Sequence, residues 1–378
     1  MRLSEEQILL RDTARDVAQN LLAPGAAQRD RESKFPKEQL AELCKLGFMG
    51  ALVPPEWGGA GADHVGYALA LEEIAAGDGA ISTILSVHNS VGCMPVLKFG
   101  SQEQKHRFLK PMAAGEMLSC FCLTEPGAGS DAAAIKTRAM RHGNRWVLNG
   151  TKQFITSGST AQVAIVFAVT DPAAGRKGIS AFIVPTDTAG YRVARLEHKL
   201  GQRSSDTAQL VFEDMELTPD LMLGAEGEGY RIALANLEGG RIGIAAQSLG
   251  MARAAYEAAL GYAQERETFG EKIIGHQAVA FRLADMATQL AAARGLILDA
   301  AQRRDAGEPC LKEAAMAKLF ASEMAERVCS DAIQIHGGYG YLADFPVERI
   351  YRDVRVCQIY EGTSDIQRMV IARELRNS

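Results

Sequence analysis

The chain has 378 residues, 47% hydrophobic and 23% charged, with a net charge of −5. This is the composition of a globular protein with length for two or three structural units, and its acidic balance argues against nucleic acid as the main partner, although local basic patches could still meet an anionic ligand. Seven scattered cysteines, with no CxxC and no histidine at zinc-ligand spacing, argue against a disulfide frame and fit buried thiols in a reducing compartment.

The first elements are helical. Met1 to Gln7 opens directly into an acidic helix start in which Ser4 and Gln7 form a capping box. That is neither a signal peptide nor an Arg-rich transit peptide, and no apolar run reads as long enough to cross a membrane, so the expected location is the cytoplasm. Helices are predicted from Ser4 to Leu22 (stopped by Pro24), Pro36 to Leu46, Asp63 to Ala76, Ala80 to Phe99 and Ser101 to Ala114. The character changes near Leu118. Trp146 to Leu148, Val163 to Val169, Ile179 to Val184 and Gln209 to Phe212 are short and rich in β-branched or aromatic residues, with Gly143-Asn144, Asp171-Pro172 and Gly224 as punctuation. From about Glu226 three long amphipathic stretches follow: Gly227 to Glu265, Gln277 to Ala306 and Leu311 to Ile335. At 1.5 Å per residue they span on the order of 40–55 Å, lengths suited to antiparallel packing in a four-helix bundle. The expected class is therefore α+β, with a helical unit over 1–117, a β unit over 118–225 and a helical bundle over 226–378. No strand-GxGxxG-helix and no Walker loop is present, so any dinucleotide must be held without a Rossmann crossover.

Candidate chemistry concentrates near the C-terminus. Gln358-Ile359-Tyr360-Glu361-Gly362-Thr363-Ser364-Asp365 places one carboxylate after an apolar run and before a Thr-Ser-Asp helix cap. Walled by Ile359 and Tyr360, Glu361 could serve as a general base in a dry pocket. Spacing alone leaves the plainer alternative open, a helix-start acid beside the dipole. Thr124-Glu125-Pro126-Gly127-Ala128-Gly129-Ser130 is an exposed loop able to approach a ligand, or an ordinary glycine-rich turn. Phe154 beside Thr156 could wall a flat ring. Arg266-Glu267-Thr268-Phe269-Gly270 and Gln334-Ile335-His336-Gly337-Gly338 end two long helices, and each has an ordinary C-terminal explanation.

Taken together and in this order, these motifs make the chain resemble the acyl-CoA dehydrogenase family over essentially its whole length. The resemblance implies a helical N-terminal domain, a middle β-barrel or sandwich domain and a C-terminal four-helix bundle. It also implies non-covalent FAD, a homotetramer and an electron-transferring flavoprotein as electron acceptor. Carried over by position, it assigns Glu361 as the base that removes an acyl-CoA α-proton. Leu123, Thr124, Gly129, Ser130, Phe154 and Thr156 correspond to flavin contacts, with Ser130 also near the acyl-CoA. Arg266, Thr268, Phe269, Gln277, Gln334, Gly337 and Gly338 correspond to FAD contacts from a neighbouring subunit, and Thr363 and Asp365 sit where the last helix meets FAD. Tyr230, Glu238, Arg241, Tyr360 and Gly362 correspond to substrate contacts. The family's alternative position for the base is occupied here by Gly240. The helix start at Thr363 should lower the Glu361 pKa, so desolvation is expected to win only with substrate bound. The segment from Glu238 to Gln247 is similar to short-chain and short branched-chain members. An oxidase of acyl-CoA or nitroalkanes, or a silent binding protein of the same fold, are the rival expectations.

Overall fold

The structure, a computed structural model, describes residues 2–377, except that the side chain of Glu238 lies outside the described residues. The N-terminal helices begin where capping predicts. Ser4 and Gln7 satisfy each other's backbone N–H groups to open α1 (Glu5–Val17), and Ser101 and Gln104 do the same further on. Pro24, however, does not end the first helix. A π-helical turn at Ala18–Leu22 leads straight into α2 (Ala23–Glu32), and Pro24 falls in the first turn of that segment, where a missing N–H is tolerated. The chain then forms α3 (Lys37–Lys45), α4 (His64–Gly77), α5 (Gly79–Val87), α6 (Met94–Phe99), α7 (Gln102–Gln104) and α8 (Lys110–Ala113).

Helix α5 runs through a π-helical turn into α6, giving a 21-residue helix, Gly79–Phe99, that is long and apolar enough to cross a membrane. This corrects the sequence expectation, which Ser82, Thr83, Ser86 and His88 to Ser90 misled by breaking up the apolar run. Its most apolar window is 89% buried inside the fold, as in a core helix.

The β unit comprises β1 (Ser119–Cys122), β2 (Arg138–His142), β3 (Arg145–Thr156), β4 (Val163–Val169), β5 (Ile179–Pro185), β6 (Tyr191–Leu196), β7 (Thr207–Leu217) and β8 (Met222–Leu223). They pair in the order β6-β7-β3-β2-β4-β5-β8, with β1 added in parallel to β4. The path runs from β6 to β8 as one bent sheet. Two register shifts in the β3–β7 pair, near Gly150 and between Lys152 and Ile155, bend β3 just before Phe154.

The C-terminal unit holds α9 (Gly229–Glu265), α10 (Gln277–Asp305), α11 (Leu311–His336), α12 (Pro346–Val354) and α13 (Ser364–Asn377). Helix α9 is central to the whole molecule. Its Ile242, Leu249 and Met251 pack with Leu71, Ile74 and Ile81 of the N-terminal helices and with Met324 and Val328 of α11 in one hydrophobic core. A second core joins Phe167, Phe182 and Phe212 of the sheet to Phe108, Met112 and the start of α9 at Ile232. The segment around Gly240 thus lies between the N-terminal helices and α11, and that is where Glu361 arrives.

Candidate active site

Glu361 reaches the interior by an unusual backbone route. After α12 a short helical turn, Arg355–Gln358, brings the chain to Tyr360, whose hydroxyl donates to Gln247 Oε1 of α9 at 2.5 Å. Ile359 is 52% exposed and does not wall the site, contrary to expectation. Glu361 itself has φ 52 and Gly362 φ 90. Two successive left-handed residues are awkward for a glutamate, costing on the order of 1–3 kcal/mol, a kind of strain that clusters at active sites. Thr363 then caps α13, its hydroxyl accepting from the Ile366 N–H at 3.3 Å.

Both carboxylate oxygens of Glu361 are buried and, among the described residues, neither has a hydrogen-bond partner. They lie over Gly240 of α9. A methyl group there would fall 1.9 Å from Oε2, so only glycine leaves room. Glu361 and Gly240, which the sequence expectation names as the alternative base position, therefore compete for the same space. Burial pushes the Glu361 carboxyl up to about 7, with the charges of Lys318 and Arg241 partly offsetting it. Desolvation thus outweighs the helix start already without a substrate, which corrects the sequence expectation. One turn along α9, a methyl on Gly243 would meet Ser86 Oγ at 2.9 Å and Leu71 Cδ2 at 3.5 Å. The hydroxyls of Ser86 and Tyr67 are buried there, each lacking a hydrogen bond of normal geometry. The site thus brings one buried carboxylate over Gly240 and two buried hydroxyls near Gly243, one turn along the same helix.

The glycine-rich loop is fixed from beneath by a buried ion pair. Lys152 Nζ, fully buried, donates to Glu125 Oε1 at 2.8 Å and to the Leu123 carbonyl at 3.1 Å. Burial pushes the Glu125 carboxyl up, but Lys152 and the N–H groups of Lys136 and Thr137 outweigh it and hold it low. The Gln153 N–H donates to the Thr124 carbonyl at 2.8 Å, tying the loop to β3. Leu123 is buried in the sheet core, whereas Gly129 and Ser130 are exposed and Thr124 and Thr156 half-buried. Phe154 is 63% exposed, at φ 59.

A third patch lies at the far end of the bundle. Arg266, Thr268, Gly337 and Gly338 line a concavity of about 390 Å³ with Tyr262, His336 and Tyr339. The Arg266 guanidinium stands 5.9 Å from the Tyr339 ring centre, and Phe269 is 99% exposed at φ 52. Gln277 and Gln334 are exposed nearby but do not line the concavity. Counted along α11, Gln334 lies roughly 24 Å from Lys318 beside the base, at 1.5 Å per residue. One chain therefore keeps these groups apart from Glu361. Of the other expected residues, Arg241 is buried beside Glu361, Tyr230 is half-buried under Arg176, and Asp365 is exposed and pairs with Arg368. Glu238 falls outside the described residues.

These surfaces suit a long ligand with a flat ring and a diphosphate. Phe154 and Phe269 offer exposed aromatic faces, and no atom lies within 4 Å of where a methyl would sit on Gly127, Gly129, Gly337 or Gly338. Sequence reasoning missed Lys318 and Gln367, both fully buried beside the base, and the Tyr67–Ser86 end of the pocket. For Lys318 a signal existed: a lone cation inside the apolar run Ala314 to Phe320.

Comparison with known proteins agrees across the whole chain. Family models match at residues 4–116 (acyl-CoA dehydrogenase, N-terminal domain), 120–215 (middle domain) and 227–376 (C-terminal domain). The mitochondrial short-chain specific acyl-CoA dehydrogenase of Homo sapiens is 49% identical, over 100% of this chain and 92% of its own. Butyryl-CoA dehydrogenase from Megasphaera elsdenii superposes with a TM-score of 0.98 at 42% identity, covering 100% and 99% of the two chains. A chain solved in work on the electron transferring flavoprotein of Acidaminococcus fermentans gives 0.98 at 44% identity, covering 100% of both.

Proposed function

Because the chain belongs to the acyl-CoA dehydrogenase family, FAD-dependent oxidoreductases acting on CH–CH groups, we propose that it dehydrogenates a short acyl-CoA thioester to the trans-2-enoyl-CoA with Glu361 as the base. The observation that carries this reading is the Glu361 carboxylate itself: buried, without a hydrogen-bond partner, and facing a glycine.

A carboxyl held near 7 by burial is matched to proton abstraction at neutral pH, because a general base works best with a pKa close to the working pH. The α-proton of a thioester is too weakly acidic for a free carboxylate, so the carbonyl oxygen needs donors as negative charge develops. The Glu361 N–H, which has no partner among the described residues, is one such donor, typically worth about 3–4 kcal/mol. FAD, when bound, accepts the β-hydrogen as hydride. Phe154, Thr156 and the Gly127–Ser130 loop would hold its ring end. Arg266, Phe269 and Gly337-Gly338 would hold the remainder from a neighbouring subunit, since one chain separates them from Glu361. A homotetramer is the assembly we propose on that ground, with an electron-transferring flavoprotein reoxidising the flavin.

Support for a short acyl group comes from the close packing of Ser86 and Leu71 against Gly243 of α9, one turn past Gly240 and about 4.5 Å along the axis. We assign a substrate of four or five acyl carbons, straight or 2-methyl-branched. Anaerobic titration of the yellow holoenzyme with butyryl-CoA should bleach the flavin and release the enoyl-CoA. Reoxidation should be fast with the flavoprotein acceptor and slow with oxygen. No bleaching by any acyl-CoA of four or five carbons would overturn the assignment, and fast reoxidation by oxygen would mark an oxidase instead.

A further inference from the structure

Two fully buried side chains from different helices meet at the backbone just after Glu361. Lys318 of α11 donates from Nζ to the Gly362 carbonyl at 2.6 Å. Gln367 of α13 donates from Nε2 to the same oxygen at 2.9 Å and to the Glu361 carbonyl at 3.3 Å. These three bonds grip the left-handed pair, φ 52 then φ 90, that sends the Glu361 side chain over Gly240. A loop of that conformation persists only where its surroundings over-determine it.

The ammonium is an expensive way to hold a carbonyl. Lys318 sits among buried alanines along α11 (Ala314, Ala315, Ala317 and Ala321), and burying an ammonium costs several kcal/mol, a penalty that a methionine of similar volume would avoid. What the ammonium adds is charge in a pocket that contains the Glu361 carboxylate. The titratable groups that act electrostatically on Lys318 are Cys357 and Glu361 from the C-terminal segment and Arg241 from α9. Those coupled to Glu361 in the same way are Lys318, Arg241 and, from α4, the Tyr67 hydroxyl. Lys318 is thus a cation that acts on the carboxylate and bonds to the backbone of the following residue, Gly362.

We propose that Lys318 is a positioning residue for the proton-abstracting base: with Gln367 it fixes the turn that aims the Glu361 carboxylate over Gly240, and its charge compensates for the water that the pocket excludes. The proposal rests on Glu361 being the base. Burial pushes Lys318 down to about 8, with Glu361 and Cys357 opposing the shift, so it is largely charged at neutral pH.

The test uses holoenzyme of Lys318→Met and Lys318→Gln, with Glu361→Gln alongside. One readout is the pH profile of flavin reduction by butyryl-CoA. The other is α-proton exchange of acetyl-CoA in D2O followed by NMR, which involves no β-hydrogen. A nearby opposite charge favours the ionised carboxylate, so loss of the cation should move the acid limb of both profiles to higher pH, by about one unit. Lys318→Met, which also loses the bond to Gly362, should lower the high-pH plateau about 10-fold or more, since misplacing a reacting group has a large effect. Lys318→Gln, which can keep a donor there, should shift the limb equally and lose less of the plateau. If Lys318→Met does not fold, the limb of Lys318→Gln decides. Folded variants with an unmoved limb and plateau would reduce Lys318 to core filling and overturn the proposal. Exchange that survives in Glu361→Gln would instead overturn the assignment of the base, and the proposal with it.

Discussion

The carboxylate of Glu361 occupies the space that a side chain on Gly240 would need: a methyl built there lies 1.9 Å from Oε2 and 2.8 Å from the carboxyl carbon. The two residues come from the last loop and from the long central helix, and the pocket exists only while one of them has no side chain. Gly240→Ala should therefore push the carboxylate off its line. We expect a folded, yellow protein whose rate of flavin reduction by butyryl-CoA falls by roughly 100-fold, the scale reported for misplacements of about 1 Å. Rapid-mixing absorbance at the flavin band measures it.

The burial that raises the Glu361 carboxyl to about 7 makes its ionisation unfavourable to the fold. In the unfolded chain a glutamate titrates near 4.3, so between that value and about 7 the folded state binds the extra proton. The sign is then fixed: this group's contribution to stability falls as pH rises through that window. Its full size is on the order of 4 kcal/mol at most, at about 1.4 kcal/mol per unit. Glu361→Gln should be more stable than the parent chain at pH 8, and the gain should shrink below pH 5. Thermal melts at several pH values check it.

The Glu125–Lys152 pair supports the glycine-rich loop from within the sheet. Removing one partner leaves the other charge buried and unpaired, a change that typically costs about 3–5 kcal/mol. Glu125→Gln should lower the denaturant midpoint and, because the loop loses its anchor, reduce the amount of FAD retained on purification. Denaturant unfolding and the ratio of flavin to protein absorbance follow the two effects separately.

The far wall of the pocket offers a size test. Ser86→Ala removes a hydroxyl that lacks a well-formed hydrogen bond and frees space beside Gly243 and Leu71, so stability should change little. The preference for butyryl-CoA over hexanoyl-CoA, read as the ratio of kcat/KM, should fall severalfold, since one methylene in an apolar pocket is worth only about 1–3 kcal/mol.

What the sequence disclosed and what it concealed have physical causes. Glu361 was legible because it follows an apolar run and is bracketed by Gly362 and a helix cap, all local signals. The boxes at Ser4 and Ser101 were legible for the same reason. Pro24 misled because the π-helical turn before it makes room for a proline in a first turn, and no local pattern announces such a turn. The acidity of Glu361 was misjudged because its burial comes from α9, a distant part of the chain, and the helix start was the only local term. Lys318 and Gln367 were missed because their role depends on two helices converging on one loop carbonyl.

The most direct test is Glu361→Gln, made as FAD-loaded protein and mixed anaerobically with butyryl-CoA. The amide preserves shape and removes the base, so acyl-CoA should still bind while flavin reduction slows by roughly 10²–10⁴-fold or more, the usual contribution of a general base. Bleaching at a near-normal rate would show that another group takes the α-proton and would contradict the account.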